Sequence, residues 1–175
     1  MINNDDMVPI GYPRDPEIMY GFGTNFRYKR FDLNIFFQGS ARSTFFIDPY
    51  DIQPFVQSGG MQNGLLQAVA SDHWSEESRN PYAFWPRLST WQVGPNNATS
   101  TWWMRNGSFL RLKNVELGYN MNEINKWGIK SARVYFSGIN MLMFSKFKLW
   151  DVEMGGRGFN YPIQSVYNLG VHLNL

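Results

Sequence analysis

The side chains of this 175-residue chain that could do chemistry fall into three groups. Asp151 and Glu153 stand two apart and could act as a carboxylate pair for general acid and base work or as part of a hard-cation site. The further oxygens that a calcium loop places at regular spacing are missing, so with Arg157 they read better as structural charges or as contacts to a covering protein. His73 and His172 are far apart and have no partner motif, so no metal site is assigned. Ser137-Gly138 lacks the Gly-x-Ser-x-Gly of a nucleophile elbow, no catalytic residue is assigned, and the chain is not expected to be an enzyme. The third group is aromatic: Trp74, Trp85, Trp91, Trp102 and Trp103, with Asp72 and Arg87 among them. Such rings stack on sugar faces while the polar groups bond hydroxyls. The plainer reading, and the favoured one, is that they pack their own segment together or meet a partner protein.

The elements that must position these residues are strands. Fourteen Phe, nine Tyr and seven Trp occur with 16 Gly and nine Pro, a mixture that suits pleated strands and sharp turns. The net charge is only +2 and the basic residues are scattered, so nucleic acid is excluded as an expected partner. Without cysteine there is neither a disulfide framework nor a thiolate metal site, and no cofactor is implied. No run of about 18 apolar residues is present, which excludes a transmembrane helix, but a spanning strand needs only ~9–11 residues with every second one apolar. The start, Met1 to Asp6, has no basic or apolar leader region, so an envelope protein with this sequence is expected to be a fragment.

Tyr20, Phe22, Phe26 and Tyr28 alternate with Gly21, Gly23, Asn25 and Arg27, and after Lys29-Arg30 the pattern continues with Phe31, Leu33, Ile35 and Phe37. This predicts a tight hairpin. Strands are expected over about 19–28, 31–40, 108–121, 131–144 and 163–175, with a long outer loop over about 41–101 that holds a short helix near Gly64 to Ala70. The apolar phase changes near Lys113-Asn114, which predicts a β-bulge, and Gly138 marks a second break. Asn122 to Lys130 reads as a helical turn or short connection. The last strand is the cleanest, with Tyr167, Leu169, Val171, Leu173 and Leu175 opposed to Asn168, Gly170, His172 and Asn174.

Alternation alone leaves a soluble sandwich and a membrane barrel equally open. Short connections alternating with long ones, aromatics near strand ends, and an apolar strand reaching the last residue favour the barrel. In a barrel, Arg27, Lys29, Asp32, Asn34, Arg111 and Glu116 would line the interior.

Several motifs then resemble one family in order. They are Gly21 to Leu33 followed by Phe36-Phe37-Gln38-Gly39; Asp72-His73-Trp74-Ser75 followed by Pro86-Arg87-Leu88; Gly107 to Tyr119; Gly128 to Tyr135; Ser137-Gly138-Ile139-Asn140; Asp151-Val152-Glu153; and Tyr161-Pro162. From about Gly11 to Leu175 the chain resembles the C-terminal part of SusC/RagA-family TonB-dependent outer-membrane transporters. Asn168, Gly170, Leu173 and Leu175 resemble the signal read by the barrel-assembly machinery, although this family commonly ends on Phe where this chain has Leu175.

The resemblance implies an all-β fold: antiparallel strands from the C-terminal part of a transmembrane barrel of about 22 strands with long extracellular loops. It also implies import of glycans or oligopeptides beneath a SusD-like surface lipoprotein, energised by a TonB complex that acts through a missing N-terminal part. The barrel would be surrounded by outer-membrane lipid. The alternative from another class is a soluble extracellular carbohydrate-binding β-sandwich. A barrel requires Phe22, Phe26, Leu33, Ile35, Leu117, Leu169, Val171 and Leu173 to form one outward band, whereas a sandwich buries them.

Overall fold

The computed structural model describes residues 5, 7–55, 57–58, 61–62, 64–91, 93–126 and 128–174. Leu175, named above in the last strand, lies outside the described residues. The main element is a five-stranded antiparallel sheet of β1 (Ile18–Tyr28), β2 (Phe31–Ala41), β7 (Phe109–Lys126), β8 (Ile129–Ser145) and β9 (Val166–Asn174), in that spatial order. Every neighbour is therefore antiparallel, and both long connections leave from one end of the sheet.

Paired residues share a face of a sheet, so the register shows how the faces divide. Phe26, Leu33, Leu117, Phe136 and Leu169 lie side by side across all five strands, and Tyr28, Phe31, Tyr119, Val134 and Val171 form the next row. This face stays open: Phe26 is 59% exposed, Leu117 45% and Leu169 79%. Among the described residues no second sheet covers it, as a sandwich would require. The exposed apolar rows have the form of a lipid-facing wall, with the Phe31 and Tyr119 rings 4.9 Å apart near the short-turn end. Accordingly, Leu117→Arg is expected to reduce the heat-modifiable folded form on cold gel electrophoresis. A cation in such a row costs about 2–4 kcal/mol near the bilayer midplane. Asn34→Lys, on the opposite and polar face, should leave the folded form abundant.

The sheet's irregularities have local causes. Lys113 is the extra residue that shifts register against β2, where the phase change in sequence predicts a bulge, whereas against β8 it faces two residues, Asn140 and Met141, so the extra residue there lies on β8. The hairpin from β7 to β8 differs from expectation, because strand continues through Lys126 where a helical turn or short connection is predicted. Gly128, at φ +77°, supplies the left-handed residue that lets the chain turn so late. At the other end, β9 begins at Val166, not near 163. Asn140 accounts for this: its Nδ2 donates to Gln164 O at 3.1 Å and its O accepts from Ser165 Oγ at 2.7 Å, so side chains and not a ladder tie that segment to β8.

The long connection is a folded body, not an open loop. It contains β3 (Thr44–Phe46), α1 (Pro49–Ile52), β4 (Gln57–Ser58), β5 (Met61–Gln62), α2 (Gln67–Ser71), α3 (Gly94–Asn97) and β6 (Met104–Asn106). Strands β3 and β6 pair antiparallel, closing the connection on itself. Helix α1 starts because Asp48 Oδ1 accepts from Tyr50 N at 3.0 Å and Pro49 occupies the first turn, where its missing N–H costs nothing. Phe45, Ile47, Ile52, Val69, Trp85 and Trp103 form the core of this body together with Phe147 and Val152 from the β8–β9 connection. Phe109 and Met143 pack beneath it and join it to the sheet.

Candidate functional site

The polar face of the sheet carries one charged cluster. Arg133 on β8 donates through Nη2 to Asp32 Oδ2 on β2 at 2.5 Å and to Glu116 Oε1 on β7 at 2.6 Å, while Asn120 Nδ2 donates to Asp32 Oδ1 at 2.5 Å. Gly118 lies beneath: a Cβ there would stand 2.4 Å from Arg133 Nη2 and 2.6 Å from Asp32 Oδ2. Glycine at 118 is thus what lets one guanidinium bridge three strands. The side chains are partly open to solvent, so the pairs contribute modestly to stability and chiefly fix the shape of this wall. Asp32, Asn34, Arg27 and Glu116 share this face, as the sequence predicts for an interior wall.

Arg111 departs from that expectation. It is only 3% exposed, covered by the β8–β9 connection, with Nη2 2.7 Å from both carboxylate oxygens of Asp151 and 2.7 Å from Glu153 Oε2. Asp151 also begins the 3-10 turn Val152–Met154, where its Oδ1 accepts from Glu153 N at 3.0 Å. Asp151 and Glu153 are therefore occupied in holding their connection to β7. Among the described residues no three His, Asp or Glu side chains come together as a metal site.

The tryptophans separate by burial. Trp85 and Trp103 are 4% and 1% exposed, so these two are corrected from surface candidates to core residues; their rings meet 5.0 Å apart and Trp103 Nε1 donates to Asn96 O at 2.9 Å. Trp102 and Trp74 are half-buried, the first donating from Nε1 to Phe84 O at 3.2 Å and the second bonded through its backbone N to Trp85 O. Trp91 is 71% exposed and borders a groove of about 560 Å³ whose other walls include Phe55, Arg87, Ser89, Thr90 and Asn96. Arg87 points outward and pairs with Glu76 at 3.3 Å.

What presents Trp91 is a buried polar relay that sequence reading does not find. Gln53 Nε2 donates to Trp91 O at 3.2 Å, and Asn97 Nδ2 donates to Gln53 Oε1 at 2.8 Å. These amides are 44 positions apart and belong to no motif; only the helices α1 and α3 bring them together. Nearby, burial pulls the Arg105 guanidinium below its ordinary value, but it stays charged and donates from Nη1 to Trp102 O and Met104 O at 2.6 and 2.8 Å. On β9, Asn168 and Gly170 lie on the polar face, with the Tyr135 ring over Gly170, and Leu173 lies on the apolar face.

An antiparallel sheet with an exposed apolar face, a charged polar face and a folded aromatic body over one end defines a segment of an outer-membrane β-barrel. No protein-family model matches the chain. It is 32% identical over 181 residues to TonB-dependent receptor P26 of Formosa agariphila, a match covering 99% of this chain and 17% of that protein. It is 26% identical over 164 residues to TonB-dependent receptor SusC of Bacteroides thetaiotaomicron, covering 90% of this chain and 15% of SusC. Among solved structures, the RagAB peptide importer in its open-open state aligns over 100% of this chain and 19% of that one, with a TM-score of 0.72 and 24% identity, which shows a shared fold. The chain belongs to the SusC/RagA type of TonB-dependent receptors, proteins of the outer membrane. It spans about a sixth of the length of the curated relatives it matches.

Proposed function

We propose that the chain is the C-terminal part of a barrel of about 22 strands that imports glycans or oligopeptides through the outer membrane. The observation that carries this reading is the division of the sheet: apolar rows open on one face, and the Asp32–Arg133–Glu116 cluster on the other. Lipid would cover the first face and the barrel interior would adjoin the second. The folded connections would then face outward, beneath a SusD-like lipoprotein, and the TonB complex would act through a part of the protein outside this chain. Asn168, Gly170, Leu173 and Leu175 would be read by the barrel-assembly machinery during insertion.

No catalysis is required of such a protein, since import needs only a bound cargo and an external source of energy. Trp91 and the groove beside it are the outward surface best suited to hold cargo, with a ring to stack on a sugar or side chain and Ser89, Thr90 and Asn96 to bond it. Trp91→Ala in the full-length protein is expected to weaken binding of the imported oligomer roughly five- to tenfold, read by isothermal titration, while the folded barrel is unchanged. Deleting the gene should abolish growth on that nutrient. Undiminished growth on every glycan and peptide source tested would refute import as the function.

A further inference from the structure

A second cavity, of about 520 Å³, opens on the same end of the molecule and is more polar than the Trp91 groove; its walls include Tyr12, Arg14, Thr44, Asp48, Arg157 and Asn160. Three separate segments meet there, and backbone contacts fix them. Tyr12 N donates to Thr44 Oγ1 at 2.9 Å and Thr44 N donates to Pro13 O at 3.2 Å, which seats the segment before β1 against β3. On the other side Asp48 N donates to Gly156 O at 2.9 Å, and a Cβ on residue 156 would stand 1.9 Å from Phe46 O. Glycine is required for so close an approach, and the approach sets the width of the cavity.

The charge balance of the walls is cationic. Arg14 and Arg157 are both exposed. Arg42, which stacks over the Tyr12 ring at 5.2 Å, is balanced by Glu17 at 2.9 Å. Among the described residues Asp48 is the one carboxylate on the walls, and it is committed through Oδ1 to the start of α1. Asp51, in the field of Arg157, has its carboxyl pushed up by burial and then by Asp48, with Arg157 opposing. Two guanidinium forks with hydroxyl and amide donors between them suit a planar oxyanion.

We propose that this cavity is an anion subsite that holds a carboxylate of the cargo, carried either by an acidic sugar or by a peptide chain end. The assignment rests on the import reading for the identity of the ligand, and on the cavity alone for its chemistry. It predicts that cargo is selected by charge at a point separate from the Trp91 groove.

The test uses the full-length protein in detergent and two matched pairs of probes: trigalacturonate against its methyl ester, and tetra-alanine against its C-terminal amide. At least one charged probe should bind about tenfold more tightly than its neutral partner, and the pair that shows the difference identifies the source of the carboxylate. Arg14→Gln with Arg157→Gln should abolish that difference, while Lys148→Gln, an exposed cation outside the cavity, should preserve it. Equal binding within both pairs, or a preference that survives the double substitution, would overturn the proposal. Because titration involves no energised step, loss of uptake with the charge preference intact counts against import and not against the subsite.

Discussion

Replacing Arg111 with methionine is expected to free the β8–β9 connection and expose it to protease on intact cells, with new cleavage after Lys146, Lys148 or Arg157. The guanidinium is almost fully buried and binds two carboxylates of that connection at 2.7 Å. Methionine removes the charge and leaves Asp151, whose side chain is 14% exposed, without a counter-ion in a poorly solvated place. Breaking a buried pair from one side costs about 3–5 kcal/mol. Glu153 is 37% exposed and can turn to water, so the lower end of that range applies. About 3 kcal/mol corresponds to a roughly hundredfold rise in the open population. The triple change Arg111→Met, Asp151→Asn, Glu153→Gln should recover much of the protection, since it removes the stranded charges with their partner. Protection unchanged in the single variant would show that the apolar contacts of Phe147 and Val152 alone hold the connection.

Trp103→Ala should have an effect of similar size in the other connection. Trp103 is 1% exposed, packs against Trp85 and donates from Nε1 to Asn96 O. Removing an indole from such a core costs about 3–5 kcal/mol through lost transfer energy and the cavity left behind. The body is small, so that loss is expected to unfold residues 44–104 locally while the sheet persists. The measurement is limited proteolysis on assembled protein, together with the quenching of tryptophan fluorescence by acrylamide. Trp103→Phe keeps an aromatic ring while losing the donor and part of the indole's volume, and should cost less, about 1–3 kcal/mol, with the body still folded. A Trp103→Ala protein as protease-resistant as the parent would show that the connection draws its stability from elsewhere.

The two variants also separate what could be read from the sequence. The strands could be read because a two-residue period is a local property: Tyr20 to Phe37 and Tyr167 to Asn174 declare their faces without any partner. The bulge at Lys113 was legible for the same reason, as a change of phase within one strand. The body between β2 and β7 was not, because its helices are four or five residues long and its pairing of β3 with β6 joins positions some sixty apart. No period survives in such short elements, so an aromatic-rich and proline-rich stretch resembled an open loop.

The same contrast applies to the candidate site. Residue type marked five tryptophans as equivalent, and only burial distinguished Trp91 from Trp85 and Trp103. Charge marked Arg111 as an interior-wall residue like Arg27, and only the fold showed a connection from another part of the chain lying over it.

By itself, then, the sequence determined an antiparallel all-β chain whose strands have one apolar and one polar face, because side-chain alternation is fixed by the pleat of each strand. It also held the ordered motifs that resemble SusC/RagA transporters. Tertiary structure alone decided which face remains open, which aromatics are spent on a core, and which charges meet. Those outcomes depend on contacts between residues distant in the chain, and no local pattern encodes them.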